Sequence, residues 1–231
     1  MPIKGFQGTS LLDYPGRIAS LVFYGGCNLT CPFCHNPDLV LNPGHYPNYP
    51  VDDLIDELRS RRSFIDGVVV SGGEPTVDGG LVPFLRQVKS LGLLVKLDSN
   101  GLAPGVLEGL LWEKLVDYLA IDLKTSPERY GELHNAPVDV PALRRSLELV
   151  LKDGVEYEFR TTCVPGLVEE ADIHRIGQAI AGARTWVLQQ FVPRHALAES
   201  LQTLEPHPAD EIRRFAALAE TYAEDVQIRG L

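Results

Sequence analysis

Cys27, Cys31 and Cys34 stand in a C-x3-C-x2-C spacing within the run GGCNLTCPFCHNP. Thiolates are soft ligands that suit iron–sulfur clusters and zinc alike. Three of them can hold three corners of a four-iron cube. The fourth iron is then open to a small molecule, to which it can pass an electron. Structural zinc, with His35 or Cys163 as a fourth ligand, is the rival reading, but such sites usually pair two short knuckles and no second knuckle follows. The chain has four cysteines, and three of them lie within eight residues, too few and too close to staple a large fold.

Other residue types with chemistry to offer recur at the ends of apolar runs. In VVVSGGEP (Val68–Pro75), Gly72 and Gly73 let the backbone approach a ligand closely, and Glu74 presents a carboxylate. Asp98 in LDSNG (Leu97–Gly101) and Asp122 in IDLK (Ile121–Lys124) each close an apolar segment. A carboxylate there is costly unless it meets a cation or several donors. Arg160 in RTTCVPG (Arg160–Gly166) could pair with a ligand carboxylate or with a neighbouring strand. Cys163 reads as a small buried hydrophobe, and His174 as a residue of a helix surface. Asn28 and Thr30 are candidate donors to the sulfurs of the cysteine loop.

The elements that must position these groups alternate. Strands are predicted at Ser20–Gly26, Gly67–Gly73, Leu93–Gly101, Asp117–Lys124, Glu156–Val164, Thr185–Val192 and Asp225–Gly230. Helices are predicted at Val51–Arg61, Gly80–Gly92, Pro104–Lys114, Ala142–Gly154, Glu169–Gly182 and Ala209–Ala223. This alternation implies an α/β fold with a parallel sheet, built from six β–α units: a partial (β/α)6 TIM-like barrel. The cysteines, the GGEP segment, Asp98, Asp122, Lys124 and the stretch from Gln190 to His195 all follow strands at their carboxyl ends. In parallel α/β folds that edge binds ligands. No linker or repeat is visible, so residues 1–231 read as one domain.

At 231 residues, 45% hydrophobic and 23% charged, the composition is that of an ordinary globular protein. A formal charge of −10 argues against a nucleic-acid binder. No run of eighteen apolar residues and no secretory leader is read, so a cytoplasmic protein with no membrane partner is expected.

GGCNLTCPFC resembles the signature of the radical S-adenosylmethionine (SAM) enzymes. The resemblance implies that Cys27, Cys31 and Cys34 bind a [4Fe–4S] cluster whose fourth iron is chelated by S-adenosylmethionine, with Phe33 near the adenine. By the same resemblance Gly72, Gly73 and Glu74 contact the methionine amino group. LDSNG and IDLK resemble segments of the glycyl-radical-enzyme activating enzymes. There Asp98, Ser99, Asp122 and the carbonyl of Leu123 would hold a monovalent cation, while Ser99, Asn100, Asp122 and Lys124 lie along the cofactor. Arg160 and His174 would serve its carboxylate and its ribose or adenine. CHNPDLV and GFQGTSLLDYPG are similar to the activating proteins of anaerobic ribonucleoside-triphosphate reductase. The implied reaction is reductive cleavage of S-adenosylmethionine, with flavodoxin or ferredoxin as electron donor. Abstraction of a Cα hydrogen from a glycine of the reductase follows. A radical enzyme acting on a small molecule, such as a deazaguanine-forming carbocycle synthase, and a zinc-stabilised interaction module are the alternatives.

Overall fold

The computed structural model describes residues 2–134 and 136–231, and within them eight strands follow one another across one sheet in chain order. They are β1 (Ile3–Ser10), β2 (Ala19–Tyr24), β3 (Gly67–Gly72), β4 (Leu94–Ser99), β5 (Tyr118–Asp122), β6 (Glu156–Cys163), β7 (Ala183–Gln190) and β8 (Ala223–Arg229). β1 runs antiparallel to β2, whereas β2–β3, β3–β4, β6–β7 and β7–β8 are parallel. The helices between them are α1 (Pro37–Leu41), α2 (Val51–Arg61), α3 (Leu81–Ser90), α4 (Pro104–Trp112), α5 (Val140–Lys152), α6 (Glu170–Ala179), α7 (Glu199–Gln202) and α8 (Ala209–Ala219). Six strand–helix steps lead from β2 to β8, as the alternation predicted. β1 is an addition. Its sequence contains two glycines and only its end residues, Ile3 and Ser10, are buried, so it carries no period-two signal.

Two compact units make up the chain. One comprises Met1–Asn28, Asp38–Ser99 and Gly105–Leu119, the other Leu29–Pro37, Asn100–Pro104 and Ala120–Leu231. In the first, β2 and β3 are paired from Ala19↔Gly67 to Tyr24↔Gly72, and the Val68–Val70 run between is wholly buried. Burial on both faces suits a central parallel strand and explains why the run is continuous rather than alternating. One face of the sheet packs Ala19, Leu21 and Val69 against Tyr14 and Tyr118, with Phe23 and Leu94 at the margin. From the other face Tyr24 meets Phe84 of α3 edge-on at 6.4 Å. α2 buries Leu54, Ile55 and Leu58, with acidic residues in its first turn and Arg59 and Arg61 in its last, as the helix dipole favours.

In the second unit α5 starts at Asp139, whose carboxylate accepts from Ala142 N at 2.9 Å. α6 starts with a reciprocal cap between Glu169 and Asp172. Asp172 is buried and accepts from Ser126 Oγ (2.6 Å) and Arg129 Nη1 (2.8 Å), so the loop after β5 is tied to the start of α6. β6 and β7 are locked by Trp186, whose indole N–H donates to Thr161 Oγ1 at 3.0 Å in a fully buried pair. Thr161→Val keeps the shape and leaves that N–H unpaired. The variant is expected to lose about 1–3 kcal/mol, read as a lower urea midpoint at unchanged slope.

Candidate functional site

In the first unit β2 and β3 continue to pair past their ends. Gly73 N donates to Tyr24 O at 2.8 Å, and Glu74 N donates to Gly26 O at 2.9 Å, one residue before Cys27. The two glycines are needed for this contact. Gly72 has a φ of +116°, and a Cβ on it would lie 2.4 Å from Tyr24 O. A Cβ on Gly73 would lie 1.8 Å from Gly26 O. The close approach anticipated for a ligand is thus also an approach to the chain's own backbone.

Glu74 is buried, and its Oε1 accepts from Thr76 N (3.1 Å), Thr76 Oγ1 (2.6 Å) and Ser99 Oγ (2.9 Å). Three donors on one oxygen hold the carboxylate in a single orientation. The structure therefore brings Ser99 to Glu74, two motifs that are 25 residues apart. Asp98 is paired with Lys96, Nζ to Oδ1 2.5 Å. Cys27 is half-buried, its Sγ 3.8 Å from Asn28 Oδ1.

In the second unit Cys34 N donates to Cys31 O at 3.0 Å, closing a tight turn with Phe33 buried between the two cysteines. Burial pushes the Cys31 thiol up to about 11, and the Lys124 ammonium pulls in the opposite direction. The Lys124 amine is itself held in its charged form: burial opposes this, but the Asp122 carboxylate outweighs it. Asp122 Oδ1 accepts from Arg160 Nε at 2.7 Å and Oδ2 from Lys124 Nζ at 2.9 Å. Burial would raise the Asp122 carboxyl, yet the charges of Arg160 and Lys124 hold it well below the ordinary carboxylate range. Behind it, Arg160 lies 4.0 Å from Glu158, which is fully buried and accepts from Arg229 at 3.1 and 2.6 Å. His35 is shifted below its ordinary value, first by burial and further by His195 and Lys124. Thr30 Oγ1 and His134 Nδ1 are hydrogen-bonded at 2.9 Å. Asn100 is buried, its Oδ1 accepting from Leu102 N at 3.0 Å.

Two residues stand apart. Cys163 is buried, its Sγ 3.9 Å from Thr161 O, and burial alone pushes its thiol up to about 12. His174, predicted near the cofactor's ribose or adenine, has its Nδ1 2.9 Å from Tyr222 Oη. Tyr222 immediately precedes the amino end of β8, whereas the other candidates follow carboxyl ends. Residues that sequence reasoning passed over are Lys96, Thr76, His134 and the Glu158–Arg229 pair. Lys96 had a signal: two positions before Asp98 on a strand, it must share a face with it. His134 had none, because it lies outside any periodic segment.

The donor chemistry fits an iron–sulfur cluster. All four cysteines are free thiols, three of them are in one loop, and Lys124 favours the thiolate of Cys31. Among the described residues no three His, Cys, Asp or Glu side chains are gathered as around a single metal ion. A cube instead takes one thiolate at each of several corners.

Residues 21–175 match the Radical SAM superfamily. The chain belongs to that family. The working cofactors of radical SAM enzymes are a [4Fe–4S] cluster and S-adenosylmethionine, and the chain is an enzyme of this class. It is 33% identical over 234 residues to a protein of Methanocaldococcus jannaschii named, provisionally, a glycyl-radical enzyme activating enzyme, covering 99% of this chain and 96% of that one. It is 27% identical over 246 residues to the pyruvate formate-lyase 1-activating enzyme of Escherichia coli, covering 97% of each. Its fold resembles that of SuiB of Streptococcus suis, solved bound to S-adenosylmethionine, with a TM-score of 0.69 at 16% identity over 91% of this chain. The chain spans 50% of the length of SuiB, and the likeness is one of fold. Among the described residues no helix is long and apolar enough to cross a membrane.

Two outcomes are expected of the cluster-free radical SAM protein. Iodoacetamide should modify half-buried Cys27 and Cys34 before Cys31, with Cys163 last, as read by peptide mass spectrometry. Asp122→Asn should be less stable than wild type to urea at neutral pH. A carboxylate with a lowered value contributes in full above its ordinary 3.8 and loses that contribution progressively below, so the gap should close as pH falls past 3.8.

Proposed function

We propose that this radical SAM enzyme activates a glycyl radical enzyme, with anaerobic ribonucleoside-triphosphate reductase as its partner and flavodoxin or ferredoxin as its electron donor. The observation that carries the activating role is the end-to-end match to activating enzymes. It covers 99% of this chain and 96% of one such relative, and 97% of each chain in another, in a chain whose cysteines beyond the loop number one. The reductase is favoured as partner by GFQGTSLLDYPG and CHNPDLV, the segments similar to its activating proteins. A cytoplasmic enzyme working as one domain completes the reading.

Cys27, Cys31 and Cys34 would hold the cluster. When bound, cluster and S-adenosylmethionine together supply a carbon-centred radical able to take a Cα hydrogen from glycine. The transfer is downhill, because the amide nitrogen and carbonyl flanking a glycyl carbon delocalise its unpaired electron. The residues of the chain do the positioning. The Glu74 carboxylate, oriented by Thr76 and Ser99, would receive the methionine ammonium alongside the Gly72–Gly73 backbone. Lys124 and Arg160, held by Asp122, present positive charge to a ligand carboxylate. Phe33 would lie near the adenine and Asn100 along the cofactor. His174 is left out of this assignment, since its ring is committed to Tyr222.

Protein purified and reconstituted anaerobically should be brown, with about four iron and four sulfide per chain. With dithionite and S-adenosylmethionine it should release 5′-deoxyadenosine, and with the reductase added it should produce a doublet-split radical signal on that polypeptide. Pyruvate formate-lyase in the same assay distinguishes the partners. A colourless protein holding one zinc would end the radical reading, and 5′-deoxyadenosine formation driven by a small molecule alone would end the activating role. Cys31→Ala should lose cluster and cleavage together, while Cys163→Ala should keep both.

A further inference from the structure

The two carboxylates expected to hold a monovalent cation already carry cations of the chain. In the first unit Lys96 is 1% exposed, its Nζ 2.5 Å from Asp98 Oδ1 and 5.9 Å from the centroid of the Tyr118 ring. Both residues project from the same face of β4, the one that packs Leu94 against the Tyr14–Tyr118 cluster. In the second unit each oxygen of Asp122 already faces a cation, Oδ1 that of Arg160 and Oδ2 that of Lys124. The Ser99 hydroxyl, a third expected ligand, donates to Glu74.

An ammonium buried among aromatic and aliphatic side chains loses its water and is costly without a counter-charge. Lys96 and Asp98 therefore stabilise one another strongly in place. A free alkali ion at Asp98 would meet this fixed like charge, and at Asp122 it would meet those of Lys124 and Arg160. The donor set does not fit an exchangeable ion.

We propose that the Lys96 ammonium is the resident counter-ion of Asp98, a positioning residue that takes the place of a monovalent cation, and that the enzyme handles S-adenosylmethionine without one. This rests on the radical SAM reading of the site. The charge that an exchangeable ion would bring is supplied covalently, on a strand, so it is independent of the salt around the protein.

The test compares wild type and Lys96→Met in potassium, sodium and tetramethylammonium chloride at matched ionic strength. Cleavage of S-adenosylmethionine by the reconstituted wild type should agree across the three salts within about twofold. Lys96→Met should be slower by about tenfold or more in tetramethylammonium, because Asp98 loses the ammonium beside it, and should recover in potassium or sodium. Thermal melting of the cluster-free proteins gives a readout apart from activity. Wild type should melt alike in all three salts, while the variant should gain about 2–4 °C in potassium if the ion binds where the ammonium stood. A wild type that needs potassium or sodium overturns the proposal, as does a folded variant that behaves like wild type in tetramethylammonium or that no small cation rescues. If the variant does not fold, the wild-type salt series decides. Absence of cleavage in every salt counts against the radical reading alone, and the wild-type melting series still decides the cation question.

Discussion

Two backbone hydrogen bonds, from Gly73 N to Tyr24 O and from Glu74 N to Gly26 O, extend the β2–β3 pairing beyond the strands themselves. They fix the start of the cysteine loop against the start of the GGEP turn. Backbone can come this close only where no Cβ intervenes, which makes Gly72 and Gly73 structural conditions of the site before any ligand is considered. Glu74 inherits a fixed position from this contact, and Thr76 and Ser99 then fix its orientation. A carboxylate held from both backbone and side chain loses little freedom when it meets a ligand, and that is the value of preorganisation.

Charge at the strand ends follows one rule in both units. Four of the carboxylates have a cation of the chain beside them: Asp98 has Lys96, Asp122 has Lys124 and Arg160, Glu158 has Arg229 and Asp172 has Arg129. In a medium of low effective dielectric such pairs are expensive to break singly, so they hold their geometry. Lys124 serves twice, as a partner of Asp122 and as the positive charge acting on the Cys31 thiol. The loop that offers the thiolates is thus electrostatically tied to the strand end that offers the lysine.

Much of the fold was legible in the chain. The six strand–helix steps declare themselves through buried runs such as Val68–Val70 and through helices such as Val51–Arg61, which falls where the periodicity put it. β1 was not legible, because a strand with two glycines and few buried residues has neither alternation nor an apolar run. The short α1 and α7 were missed for a related reason: five and four residues are too few for a helical period to show. Among the candidate site residues, motif spacing singled out those that stand beside one another in sequence, such as Asp122 and Lys124, whose side chains are also paired in space. It could not show that His174 turns to Tyr222, because that partner lies 48 residues away.

By itself the sequence determined the ligand chemistry. Three thiols in one short loop, two glycines before a glutamate, and acids closing apolar strands limit what can bind, because residue type and local spacing set donor softness, backbone reach and charge. Only the tertiary structure decided how those groups are committed. That Ser99 orients Glu74, that Lys96 neutralises Asp98 beneath the Tyr118 ring, and that Asp122 is shared by Lys124 and Arg160 are facts of distance. Electrostatic and hydrogen-bond energies depend on separation and burial in space, and neither is written in a linear spacing.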